Sequence, residues 1–203
     1  MLKRKANIAV FVSGGGTNLQ AILDAAAAGD IPHGTVALVL SNKEGAYALE
    51  RAAKADVPAC TVLRGDGGQA AFEKKILEKL AEYDIDIAVL AGFLTILSAD
   101  FIKAFGKPVL NVHPSLIPAF CGKGFYGLRV HEAALEKGVK VTGATVHFVN
   151  EIPDGGEIIM QKAVEVPEGI TPQALQKLVM ERAEWILLPR ATEKICKQIV
   201  EGK

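Results

Sequence analysis

The chain has 203 residues, half of them hydrophobic, with 23 Lys and Arg set against 23 Asp and Glu for a formal net charge of zero. That length suits one domain that buries a substantial core without staples. The even charge balance argues against a broad basic face for nucleic acid or anionic membrane and against an acidic disordered tail, so any anion must be held by a local site. Cys60, Cys121 and Cys196 are widely spaced and lack a Cys-x-x-Cys pair, which disfavours a disulfide framework and a cysteine-based zinc site. Reduced thiols in the cytoplasm are the simplest reading.

The start, Met1-Leu2-Lys3-Arg4-Lys5 followed by an apolar run over residues 8–12, superficially resembles a signal peptide. The run is too short and meets Gly14-Gly15-Gly16 at once, so residues 8–13 read as a first buried strand. No stretch approaches the length needed to cross a membrane. Ser13-Gly14-Gly15-Gly16-Thr17-Asn18 then leads into a helix over residues 18–28. The glycines allow a tight turn with amides close to a ligand, and the helix start adds unpaired N–H groups and a positive dipole end. Gly-Lys-Ser/Thr does not follow, and Leu19 occupies the third glycine position of a dinucleotide fingerprint. The second strand, residues 36–40, ends in Leu40-Ser41-Asn42 without an acid to hold an adenosine ribose. A phosphomonoester on a small molecule fits this loop better than NAD or ATP; a glycine turn that only packs is the alternative.

Helix-like runs follow at residues 47–55, 69–83 and 98–105, with an edge-type strand at 59–63 and continuous apolar strands at 87–91 and 109–113. Strands of that character are covered on both faces, which predicts an open, mostly parallel, Rossmann-like α/β sheet with helices on both sides. After residue 140 the pattern changes to two extended runs, 141–149 and 157–166, joined by a Pro, Asp and Gly loop as in an antiparallel hairpin. Thr171 and Pro172 open a long amphipathic helix as N-cap and first turn. No repeat, linker or low-complexity stretch interrupts residues 1–203, so the reading is one domain, with an α/β half over about 1–110 and a smaller lobe over about 111–203.

Pro108-Val109-Leu110-Asn111-Val112-His113 reads as a short buried strand, and side-chain alternation puts Asn111 and His113 on one face. Pro114 ends the strand and leaves both polar groups at its carboxyl end, where open α/β sheets bind ligands. A histidine satisfied locally at a strand end, with Asn111 as turn chemistry, is the bland alternative.

In order along nearly the whole chain, Ser13-Gly-Gly-Gly-Thr-Asn18-Leu-Gln-Ala21, Ser41-Asn42-Lys43, Leu90-Ala-Gly-Phe93, Asn111-Val-His-Pro-Ser115-Leu-Ile-Pro118, Gly143-Ala-Thr-Val-His147 and Asp154-Gly-Gly156 resemble the phosphoribosylglycinamide formyltransferases of purine synthesis. The resemblance implies a formyltransferase fold and transfer of a formyl group from 10-formyltetrahydrofolate, as co-substrate, to the amine of glycinamide ribonucleotide. It implies that Gly16, Thr17 and Asn18 bind the substrate phosphate, that Asn111, His113 and Asp154 carry catalysis, and that Glu184 contacts the substrate. It also implies that Leu94, Thr95, Ile96 and Leu97, with Asn111 and the loop before Asp154, hold the folate. Trp185 stands where the family usually has histidine. Thr95 and Gln69 stand where members carry arginine, which puts charge pairing to the folate glutamate tail in doubt. Residues 119–127 form a longer glycine-rich loop, read as a lid, in which Lys123 is a candidate anion contact; His131 is either a family site residue or structural.

The implied chemistry is attack of the amine on the formyl carbon, with Asn111 donating to the oxyanion, protonated His113 stabilising it, and Asp154 favouring the charged imidazole and taking part in proton transfer through water. Neither Ser115 nor Cys121 is expected to be a nucleophile, and no metal is required. The expected partners are small molecules, with no nucleic acid and no membrane, for a cytoplasmic monomer or homodimer. A folate hydrolase, a formyltransferase with another acceptor, and a non-catalytic metabolite sensor are the competing readings.

Overall fold

The computed structural model describes residues 4–202; Met1 to Lys3, the start of the basic stretch, lie outside them. Five parallel strands alternate with helices in chain order: β1 (Ala6–Val12), α1 (Thr17–Ala28), β2 (Gly34–Ser41), α2 (Tyr47–Lys54), β3 (Ala59–Thr61), α3 (Gly68–Glu82), β4 (Ile87–Leu90), α4 (Ala99–Phe105) and β5 (Val109–His113). Helix α5 (Leu128–Lys137) follows, then strands β6 (Val141–Phe148) and β7 (Ile158–Glu165). Two helices, α6 (Pro172–Val179) and α7 (Trp185–Glu201), are joined by a π turn over Met180–Glu184. The sheet order is β3-β2-β1-β4-β5-β6-β7, and the β5–β6 and β6–β7 pairings are antiparallel.

The predicted hairpin therefore extends the same sheet rather than forming a separate layer. The expected long helix begins where the sequence placed it, because the Thr171 hydroxyl accepts from the Ala174 amide and Pro172 sits in the first turn. Its interruption by a π turn had no signal in the apolar pattern.

Alternation along each strand divides the core between the two faces of the sheet. Ile8, Val10 and Val12 pack with Leu19, Ile22, Ala48, Leu188 and Ile195 on the side of α1, α2 and α7. Ala9 and Phe11 pack with Phe72, Ile76, Leu80 and Phe101 on the side of α3 and α4. Fully buried side chains such as Ile22 and Ile76 each stabilise the fold by about 1.5–3 kcal/mol through removal from water. Among the described residues no helix is long and apolar enough to cross a membrane, and the three cysteines are free thiols.

Strand order turns around between β1 and β4, so the crevice at the carboxyl ends of β1, β4 and β5 is the topological switch point. The glycine loop follows β1, Leu94 to Leu97 follow β4, and Asn111 and His113 end β5. Three separated sequence motifs thereby line one edge in spatial order.

Candidate active site

Asn111 and His113 share a face of β5, as their spacing predicts, and β6 supplies a residue opposite each. Asn111 pairs with His147 and His113 with Thr145 in the antiparallel register. His147 Nδ1 donates to the Phe148 carbonyl at 2.7 Å, and its Nε2 stands between Asn111 Nδ2 at 3.2 Å and Asp154 Oδ1 at 3.5 Å. His147 thus orients the Asn111 amide. Nothing in the local spacing of His147 signals this role; only the register of two antiparallel strands reveals the pairing.

Asp154 reaches the same place through the turn after β6. The turn folds back so tightly that a Cβ at Gly156 would stand 1.7 Å from the Phe148 carbonyl oxygen, which demands glycine there. Asp154 itself sits at φ 56°, a left-handed conformation that aspartate tolerates. Its Oδ2 lies 3.5 Å from His113 Nδ1 and its Oδ1 3.5 Å from His147 Nε2. The Gly122 amide donates to Oδ2 at 2.8 Å, and the Phe120 carbonyl meets His113 Nε2 at 2.8 Å. The loop of residues 119–127 therefore contacts both titratable groups by backbone alone, while Lys123 is exposed.

Burial is the largest influence on Asp154 and opposes its ionisation, but His147, the His113 charge and the Gly122 N–H together outweigh it and hold the carboxyl below its ordinary pKa. For His113 burial wins, lowering the imidazole pKa despite the Phe120 carbonyl and Asp154. The resting imidazole is thus neutral at pH 7, with its proton on Nε2 toward Phe120. Protonation at Nδ1 would give Asp154 a facing N–H, so the site accommodates imidazolium once negative charge develops nearby. His131 lies wholly buried with both ring nitrogens unpartnered, and burial pushes its pKa down to about 4. It sits in the interior, near enough to His113 for the two imidazoles to repel when charged.

At the glycine loop, Gly16 adopts φ 71° and immediately precedes α1, which has no acidic side chain in its first turn to neutralise the dipole end. Asn18 Nδ2 donates to Glu184 Oε2 at 2.7 Å, joining the loop to the π turn, and Thr17 faces Met180 across the same junction. Asn18 Oδ1 is buried without a protein partner. Burial raises the Glu184 pKa to about 6 against the opposing bond from Asn18. A one-residue insertion in a helix is a recurrent feature of functional sites because it re-aims a side chain. Here it turns a buried carboxylate onto the loop.

Leu94 and Ile96 are exposed at 61% and 67%, beside buried Phe93 and Leu97. Thr95 Oγ1 accepts from Asn42 Nδ2 at 2.8 Å, and Gln69 Nε2 donates to the Ile96 carbonyl at 3.1 Å and to Glu73. The segment offers apolar surface and backbone groups, and the positions of Thr95 and Gln69 bring no positive charge to it. The loop and the segment touch where the Leu94 amide donates to Ser13 Oγ at 2.9 Å. Among the described residues no cluster of three or more His, Cys, Asp or Glu is arranged to hold a metal.

A carboxylate, an imidazole and an amide at one strand end, two strands from the glycine loop after β1, can pass protons and stabilise an oxyanion. Comparison with known proteins bears on that chemistry. Residues 6–192 match the family described as formyl transferase. A chloroplastic phosphoribosylglycinamide formyltransferase of Arabidopsis thaliana is 36% identical over 98% of the chain, which covers 68% of that relative. A trifunctional purine biosynthetic protein of Bos taurus is 40% identical over 97% of the chain, which spans only 19% of its length. The crystal structure of glycinamide ribonucleotide transformylase 1 from Symbiobacterium toebii superposes with a TM-score of 0.87 at 41% identity, covering 98% of this chain and 89% of that one. The chain belongs to the formyl transferase family.

Proposed function

We infer that the protein transfers a formyl group from 10-formyltetrahydrofolate to the amine of 5'-phosphoribosylglycinamide, as one domain and in the cytoplasm. The observation that carries this reading is the convergence of Asn111, His113 and Asp154 at the end of β5, on the same sheet edge as the phosphate loop after β1. The names of its relatives point to the same reaction.

In this reading Gly16, Thr17 and Asn18 at the start of α1 hold the phosphate, and Glu184, bonded to Asn18, contacts the substrate beside it. Asn18 Oδ1, buried and unpartnered, is an acceptor waiting for a ligand N–H or O–H. The folate lies along Leu94, Thr95, Ile96 and Leu97, with its formyl group toward Asn111. Attack by the amine gives a tetrahedral intermediate. Asn111, its amide oriented by His147, donates its remaining N–H to the oxyanion. Neutral His113 gains basicity as that charge forms, takes a proton at Nδ1 facing Asp154, and passes one to the departing folate nitrogen. Asp154, ionised throughout the neutral range, stabilises the imidazolium and relays the proton leaving the amine.

A spectrophotometric assay of folate product, with and without glycinamide ribonucleotide, tests the reading. Turnover that depends on the ribonucleotide is the expected result. Turnover without it identifies a formyl-folate hydrolase, and no turnover in either case rejects both enzymes.

A further inference from the structure

The phosphate loop contains no cation, yet one side chain grips it from outside. Arg51, on α2, donates from Nε to the Gly15 carbonyl at 2.7 Å and from Nη1 to Gln20 Oε1 at 2.9 Å, and its guanidinium lies 5.0 Å over the Tyr47 ring. Three residues earlier on the same helix, the Ala48 amide donates to the Gly14 carbonyl at 3.1 Å. Helix α2 is pressed so closely to the loop that a Cβ on Gly16 would stand 2.6 Å from that of Ala48.

In a planar trans peptide the C=O and N–H point in opposite directions. Ala48 and Arg51 hold the carbonyls of Gly14 and Gly15 toward α2, so the amides of the same two peptide units, Gly15 N–H and Gly16 N–H, are turned the other way. Neither amide meets a protein acceptor among the described residues. Consecutive amides directed to one side make an anion-binding concavity. A charged donor on the Gly15 carbonyl also polarises that peptide and strengthens its N–H as a donor.

We infer that Arg51 is a positioning residue for the substrate phosphate: it fixes and polarises the Gly15–Gly16 peptide so that the glycine amides face the phosphate before it arrives. The inference deepens the reading above and rests on it for the identity of the phosphate ester. Arginine suits the task because one planar fork spans the Gly15 carbonyl and Gln20 at once; a lysine ammonium is a single point without that geometry.

Steady-state kinetics of Arg51→Gln and Arg51→Lys, varying each substrate at saturating concentration of the other, test it. Arg51→Gln is expected to raise KM for glycinamide ribonucleotide about tenfold or more, with kcat and the folate KM within about twofold, since the loss falls on one charge-assisted contact of the bound phosphate. Arg51→Lys should lie between Gln and wild type. Thermal-shift titration with inorganic phosphate supplies a readout independent of turnover: wild type is stabilised and Arg51→Gln is not at the same concentration. An unchanged ribonucleotide KM, a loss confined to kcat, or equal phosphate stabilisation of both proteins overturns the inference. Should Arg51→Gln fail to fold, Arg51→Lys decides, and a lysine variant matching wild type overturns it. If wild type does not turn over the ribonucleotide, the functional reading fails by itself, and the phosphate titration still tests Arg51.

Discussion

Replacing Asp154 by Asn keeps the shape of the turn and the acceptor for the Gly122 amide while removing the charge. The carboxylate lies 3.5 Å from His113 Nδ1, with side-chain exposures of 15% and 5%. At an effective dielectric of about 20, a full imidazolium at that distance is stabilised by about 5 kcal/mol. Only the fraction of charge developed in the transition state counts, so the expected loss in kcat is about a hundredfold to ten-thousandfold, or roughly 3–5 kcal/mol. The sign of the pH effect follows from the same contact. Asp154 raises the His113 pKa against burial, so the neutral variant leaves a weaker base whose acidic limb moves to lower pH. The assay is a pH profile of kcat and of kcat/KM from pH 5 to 9, with circular dichroism to show an intact fold. The ribonucleotide KM should change little, because the phosphate loop is two strands away. Near-normal turnover, or an acidic limb that moves upward, would refute the proposed role.

Asn111→Ala removes the amide that His147 orients and should cost about 3–4 kcal/mol in the transition state, read as a fall in kcat of two to three decades; a fall confined to KM contradicts the assignment. Folding raises the Glu184 pKa from 4.5 to about 6, so its contribution to stability is fully present below pH 4.5 and lost as pH rises through 6. Glu184→Gln keeps an acceptor for Asn18 without the buried charge and should gain about 2 kcal/mol in urea unfolding at pH 8 and nothing at pH 4; equal stability of the two proteins at pH 8 counts against the shift. Gly16→Ala combines a strained φ of 71° with a 2.6 Å approach to Ala48. It should destabilise the fold by about 1–3 kcal/mol and raise the ribonucleotide KM; an unaltered Tm and KM would mean that the loop is not held by α2.

What the sequence reveals here depends on whether a residue's place is set by local periodicity. Asn111 and His113 are two apart in a strand closed by Pro114, so their common face is legible from the chain alone. The glycine loop is equally local. Asp154 is legible only through family resemblance, because its position depends on how a turn after β6 folds back onto β5. His147 requires knowing that β5 and β6 run antiparallel in one register. Arg51 on α2 reads as an ordinary surface arginine, and nothing in its spacing tells that the helix lies against the loop. Protonation was the least legible property. The sequence suggests a charged imidazole beside an aspartate, whereas burial of His113 outweighs that neighbour and leaves it neutral.

The π turn between α6 and α7 also bears on how this chain tolerates insertions and deletions. Each residue advances a helix by about 100°, so the extra residue in Met180–Glu184 rotates everything after it relative to everything before it. Leu175 and Val179 on one side, and Leu187, Leu188, Ala191 and Ile195 on the other, are all buried in the same core only with that offset in place. Deleting one residue within Met180–Glu184 would straighten the helix, swing Glu184 off Asn18, and force one of the two apolar stripes toward solvent. The single extra residue couples the alignment of α7 to the aim of one carboxylate, so a one-residue deletion there would affect stability and substrate binding together.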